Sequence, residues 1–155
     1  MRKMSLWGVG PRIMIPGYLI LFILSWVPVK INIKGILDIS GLYISAVSII
    51  LILIGIIMLA AANLDIKKAV NKNQLITTGL FSYIRNPMYG SHIFFIMPGV
   101  CLLTNNAVTL FSILCTLIIF YILIPKEEDV LEENFGEEYL DYKNKVRRLI
   151  PRLFI

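Results

Sequence analysis

Apolar, uncharged stretches alternate with charged ones along this chain. Three intervals lack Asp, Glu, Lys and Arg: 13–29 between Arg12 and Lys30, 39–64 between Asp38 and Asp65, and 86–125 between Arg85 and Lys126. A charge near the bilayer centre costs ~2.5 kcal/mol or more on insertion scales, so such intervals mark membrane spans. One helical span takes roughly 20 residues, with a range of about 17–25. The third interval therefore holds two spans, and Thr104-Asn105-Asn106 supplies the turn because these side chains compete for backbone hydrogen bonds. The pattern predicts four transmembrane helices near 11–29, 40–63, 88–104 and 107–125, with a loop over 65–89 and a tail over 126–155. The first helix follows basic residues as a signal peptide would, but Trp26 and Pro28 stand where a cleavage site belongs, so it is expected to be retained.

The tail carries a second, helical pattern. Leu131, Phe135, Tyr139, Tyr142 and Val146 recur at steps of three and four, which predicts an amphipathic helix, and Gly136 predicts a bend or break in it. Acidic residues, from Glu127 to Asp141, precede basic ones, from Lys143 to Arg152, in the sense that complements a helix dipole.

Composition agrees with a membrane protein. Of 155 residues, 57% are hydrophobic and 16% charged, against roughly 45–50% and about 25% in soluble domains. A soluble domain of this size leaves too much surface exposed to hide so many apolar side chains. The net charge of +5 comes without a nucleic-acid-binding signature, so an anionic lipid surface is the expected partner and nucleic acid is not. Cys101 and Cys115 lie in apolar segments and spell out neither a disulfide framework nor a metal site. With four spans, both termini and the 65–89 loop share one side of the membrane. That side holds Arg2, Lys3, Arg12, Lys67, Lys68, Lys72, Arg85 and every basic residue from Lys126 onward, whereas the other keeps Lys30 and Lys34. The positive-inside rule places the termini in the cytoplasm.

Polar chemistry gathers on that same face. The loop reads Gly79-x-Phe81-x-Tyr83-x-Arg85-Asn86-Pro87-x-Tyr89-Gly90 and enters the third helix at Pro87, whose fixed φ suits a first helical turn. Free N–H groups there suit an anion or a polar ligand. An ordinary structural account is also available, in which Asn86 caps the helix, Arg85 touches lipid phosphates and Tyr83 and Tyr89 form an interfacial belt. In the tail, Glu127 and Glu128 are adjacent carboxylates at the membrane boundary; they repel each other unless a cation joins them. The alternative is a solvated acidic face. Taken together, loop and tail emerge from neighbouring helices on one side and are expected to close over a shared cavity. His92 lies one turn beyond Tyr89, although a lone histidine more often bonds a neighbouring helix.

The loop run, with Glu127-Glu128-x-x-Leu131-x-x-x-Phe135-Gly136-x-x-Tyr139-x-x-Tyr142-x-x-x-Val146-x-Arg148-x-Ile150-Pro151, resembles the signature of the isoprenylcysteine carboxyl methyltransferase family, a group related to the phospholipid N-methyltransferases. The resemblance covers 73–151, about half the chain. It implies an all-α integral membrane enzyme that takes S-adenosylmethionine as cofactor at the cytoplasmic face and methylates a lipophilic acceptor. Carried over by position, the cofactor residues are Asn73, Gln74, Leu75, Ile76, Phe81, Asn86, Pro87, Met88, Tyr89 and Glu127. Arg85 and Glu128 are the candidate catalytic residues, Glu128 as proton acceptor for an amine or thiol substrate, and no metal is implied. The chain departs from the family where Asn86 replaces a frequent His, Phe81 a frequent Tyr, and Leu123 an arginine that engages the acceptor carboxylate. Independently of the family, a carboxylate at Glu127 or Glu128 suits the donor's ammonium and tyrosine faces suit its sulfonium. Methyl transfer needs alignment and exclusion of water more than covalent help. Two alternatives stand beside this reading: a phospholipid amine methyltransferase, and a non-enzymatic membrane protein, a transporter subunit or assembly factor, whose basic tail grips anionic lipid.

Overall fold

The computed structural model describes residues 9–27, 31–33, 40–72 and 74–151. Asn73, and the basic residues Arg2, Lys3, Lys30, Lys34 and Arg152 used above for orientation, lie outside them. The regular structure of the described residues is helical, and isolated pairings of Asn32 with Asn106 and of Ile84 with Arg147 are the strand-like contacts among them. Helix α1 (Gly10–Trp26) carries Pro11 in its first turn and stops as Val27 turns extended, the conformation favoured for a residue before proline. Helix α2 is Gly41–Lys72. Helix α3 covers Pro87–Thr104, α4 Phe111–Phe135 and α5 Glu137–Lys145. Among the described residues three segments are long and apolar enough to cross a membrane, Gly41–Val70, Pro87–Thr104 and Ala107–Phe135. Helix α1, with 17 residues, is a shorter apolar helix at the low end of that range.

Two helix seams hold the bundle together, and both rely on small residues. On α1, Ile13, Gly17 and Leu21 are buried at steps of four; on α4, Ser112, Thr116, Phe120, Ile124 and Glu128 are buried at the same step. The two i±4 ridges face each other, and a Cβ on Gly17 would run into the Thr116 side chain. Thr116 and Ser112 satisfy their buried hydroxyls on the carbonyls of Ser112 and Thr109, so the seam holds no orphaned polar group of theirs. Helix α2 buries Ser48, Gly55 and Ala62, seven residues apart, toward α3. A Cβ on Gly99 of α3 would lie 2.7 Å from Ile52 Cγ1 and 2.8 Å from the Ser48 carbonyl oxygen. Without a hydrophobic drive between helices in lipid, such backbone proximity is what gains dispersion energy. The opposite faces, Ile49, Ile56, Ile57, Ile118 and Ile122 among them, are exposed as a lipid-facing surface requires.

Helix bounds differ from the expected ones in two places. Helix α2 runs through Asp65–Val70 instead of giving way to loop at 65, because a charge ends the apolar slab but not the helix, and Lys68 and Asp65 pair at 3.9 Å one turn apart. Likewise α4 passes through Pro125 and reaches Phe135, so Glu127 and Glu128 sit on the helix rather than on a tail beyond it. One missing N–H bond at Pro125 is outweighed by the stripe that continues across it to Glu128. Gly136, at φ +52°, breaks the chain between α4 and α5 as expected. The Asn105 turn is left-handed, and Asn106 accepts from the Val108 N–H at the next helical start. In α3 the residues His92–Ile96 form a π turn just before Pro98, whose ring would otherwise strike the carbonyl four residues back.

Replacing Gly99 with Leu must push Ile52 or the α2 backbone aside. The expected loss is about 1–3 kcal/mol, the usual range for overpacking. Ala60→Leu on the exposed face of α2 is expected to leave the melting temperature in detergent unchanged; equal melting of the two variants would contradict this seam.

Candidate functional site

The segment before α3 is shaped by the tail. Gly79–Ser82 forms a 3-10 turn that begins at φ +62° on Gly79, where Asp65 of α2 crowds the missing side chain. Phe81 is buried, and its carbonyl accepts the Tyr142 hydroxyl of α5 at 2.7 Å. Burial pushes the Tyr142 phenol above its ordinary pKa, so it remains a donor at neutral pH. Two residues later the chain pairs with the segment after α5: the Arg85 N–H donates to the Arg147 carbonyl at 2.8 Å and the Asn86 N–H to that of Arg148 at 3.0 Å. The Asn86 amide nitrogen adds a bond to the same Arg148 carbonyl at 3.2 Å. Its side chain makes no cap bond to α3, so the ordinary capping account does not describe it.

At the centre lies a buried carboxylate. Glu128, 4% exposed, accepts Arg85 Nη2 on Oε1 at 2.7 Å, Arg148 Nε on the same oxygen at 2.9 Å and Arg148 Nη2 on Oε2 at 2.7 Å. Arg85 reaches further, donating through Nη1 to the carbonyls of Lys143 at 2.9 Å and Val146 at 2.5 Å at the end of α5. One guanidinium thus ties the loop before α3, the end of α4 and the turn after α5 into a unit. The Arg148 guanidinium is held above its usual pKa chiefly by its hydrogen bonds to Glu128. With both oxygens engaged by N–H donors, Glu128 is an anchor; taking a proton would cost it those bonds.

Glu127 has different surroundings. It accepts the Tyr89 hydroxyl at 2.9 Å and the backbone N–H of Val9 at the start of α1, and has no cationic partner among the described residues. Tyr89 is buried with its ring 5.2 Å from that of Phe120, which fixes the hydroxyl toward α4. A carboxylate held only by neutral donors fits an ammonium group of a ligand.

The predicted residues form two groups with the others placed around them. Arg85, Asn86 and Glu128 meet around the ion cluster, while Tyr89 and Glu127 meet one helix face away. Phe81 is held by Tyr142, and Pro87 and Met88 form the first turn of α3 between these groups. Gln74, Leu75 and Ile76 follow α2, with the Gln74 N–H on the Ala69 carbonyl at 3.1 Å. Asn73 lies outside the described residues. Tyr83 is exposed, and Tyr18 Oη lies 2.7 Å from His92 Nδ1, so the histidine does bond a neighbouring helix. Arg148 and Tyr142, quoted above only as motif letters, turn out to hold the cluster together. A cavity of about 330 Å³ opens beside it, lined by Arg85, Tyr121, Arg147, Arg148, Leu149 and Ile150.

Residues 37–138 match the sequence pattern of a family described as phospholipid methyltransferase. The chain belongs to this phospholipid methyltransferase family. It is similar to a protein-S-isoprenylcysteine O-methyltransferase of Xenopus laevis, 28% identical over 137 residues, covering 82% of this chain and 48% of that protein. Its fold is similar to that of the eukaryotic intramembrane Ras methyltransferase ICMT, isoprenylcysteine carboxyl methyltransferase, with a TM-score of 0.65 and 19% identity. That likeness covers 93% of this chain and 53% of the other. The family member described here therefore spans about half the length of these two relatives.

Deleting the central charge tests the cluster. Glu128→Gln leaves two guanidiniums facing an amide, and the expected cost is about 3–5 kcal/mol, as for other buried pairs that lose one partner. Glu132→Gln, which removes an exposed pair with Lys143 at 3.2 Å, is expected to cost under ~1 kcal/mol. Denaturation in detergent reads both, and similar losses would show that the buried carboxylate is not the anchor.

Proposed function

We propose that this chain is an integral membrane methyltransferase that takes S-adenosylmethionine at the junction of the loop before α3 with the end of α4, and that its acceptor is lipophilic. In this reading α1 is a fourth span and both termini are cytoplasmic, which the distribution of basic residues supports. The observation that carries the proposal is Glu127: a carboxylate at the membrane boundary, held by Tyr89 and Val9, with no cation of its own among the described residues. Bound there, the donor would supply an activated methyl group on a sulfonium whose charge disappears on transfer.

The protein's part is to bind, orient and exclude water. Glu127 holds the ammonium end, and Tyr89 keeps the carboxylate aimed at it. Asn86, Pro87 and Met88 supply the wall at the first turn of α3, and Phe81, pinned by Tyr142, supplies apolar surface. Asn73, Gln74, Leu75 and Ile76 complete the donor site in this assignment. Arg85 and Glu128 act as positioning residues: their mutual bond sets the distance between loop and α4, and Arg148 locks it. Leu123, in the place of the family arginine, packs with the apolar cluster around Ile13 and Phe120. It offers nothing to an acceptor carboxylate, which favours an acceptor recognised by other means.

S-adenosylhomocysteine is expected to raise the melting temperature of the purified protein saturably with concentration. Glu127→Gln should weaken that binding by at least tenfold, about 1.4 kcal/mol. Unchanged affinity would remove Glu127 from the site, and no saturable effect in the parent protein would remove the cofactor.

A further inference from the structure

The cavity beside the ion cluster shares only the positioning residues Arg85 and Arg148 with the methyl-transfer assignment, and its lining has a different character. Three guanidiniums, those of Arg85, Arg147 and Arg148, surround it with a single carboxylate, Glu128, to balance them. Arg147 is exposed and has no acidic partner among the described residues. Arg148 spends Nε and Nη2 on Glu128, which leaves Nη1 for another acceptor. Arg85 is the most telling. Its side chain is only 9% exposed, yet its Nε–H is buried without a hydrogen-bond partner among the described residues. Buried donors are paired in the great majority of folded proteins, and this unpaired one sits on a residue that lines the cavity, which marks the guanidinium as short of acceptors. Tyr121 adds a hydroxyl, and Leu149 and Ile150 add apolar surface.

We infer that this cavity is a binding site for a phosphate group, presented by an anionic lipid at the membrane boundary. Donors on four side chains outnumber what the two oxygens of a carboxylate can take, whereas a phosphate offers more acceptor oxygens in the geometry that guanidinium forks match. Location selects the lipid. Tyr121, 48% exposed, lies on the lipid-facing side of α4 beside Ile118 and Ile122, and Ile150 is exposed at the rim. A headgroup can therefore enter from the bilayer while its acyl chains stay along α4. The inference does not depend on methyl transfer: of its residues only Arg85 and Arg148 enter that reading, and both only as positioning residues.

The test uses the full chain in neutral detergent, titrated at constant ionic strength with phosphatidylglycerol, with uncharged diacylglycerol, or with inorganic phosphate, and followed by native mass spectrometry and melting temperature. Saturable binding of phosphatidylglycerol, absent with diacylglycerol and weakened at least tenfold by Arg147→Gln or Tyr121→Phe, is the expected result. Both side chains are exposed enough for the variants to melt like the parent protein without lipid. Inorganic phosphate that saturates the same residues as tightly as the lipid would support the phosphate site and assign it to a soluble ligand. Equal lipid affinity in the parent and both variants, or binding that never saturates, would overturn the proposal. The melting shift with S-adenosylhomocysteine, measured in the same samples, reports separately on the methyl-donor site.

Discussion

A single carboxylate taken out of solvent and shared between two arginines organises the polar end of this molecule. Glu128 closes the buried stripe of α4, Arg85 arrives from the loop before α3, and Arg148 arrives from the segment after α5. Desolvating a carboxylate is costly, and only full engagement of its oxygens makes the burial tolerable. Each segment is therefore committed to the others: the loop cannot leave without stranding Glu128, and the turn after α5 cannot leave without stranding Arg85. The short pairing of Ile84 with Arg147 and the bond from Tyr142 to Phe81 add neutral hydrogen bonds to the same joint.

Adjacent glutamates consequently have opposite fates. Glu128 points along the buried stripe and is saturated by guanidinium donors. Glu127, one residue earlier and about 100° around the helix, meets a phenol and a backbone amide. This division separates a carboxylate anchored by guanidiniums from one held by neutral donors with no change in residue type, and the continuation of α4 past Pro125 makes it possible. Had the helix ended at Pro125, the two carboxylates would have no fixed angular relation. The seams below, Gly17 against Thr116 and Gly99 against Ile52, keep α1 on α4 and α2 on α3 closely enough for these terminal groups to meet.

Much of this was legible from residue order. Charge-free intervals located the apolar helices, Asn105 and Asn106 located the turn between α3 and α4, and Gly136 the break before α5, each because a local cost falls on specific residues. The motif residues Arg85, Asn86, Tyr89, Glu127 and Glu128 were legible as a set. Helix ends were less so: Asp65 and Pro125 look like stops, yet neither is one, since helix continuation depends on what packs beyond the stop. The division of roles was not legible either. Nothing in the order of residues says that Arg148 and Arg85 would converge on Glu128, or that Asn86 would turn from its helix cap to a carbonyl of the tail.

The amino-acid sequence by itself determined that this is a helical membrane protein with its polar chemistry gathered at one face, because lipid admits only segments without charge and with internally satisfied backbones. Tertiary structure alone decided which charge pairs with which. Partner choice depends on positions separated by 43 residues for Arg85 and Glu128, brought within hydrogen-bond reach by helix seams whose register no local pattern encodes.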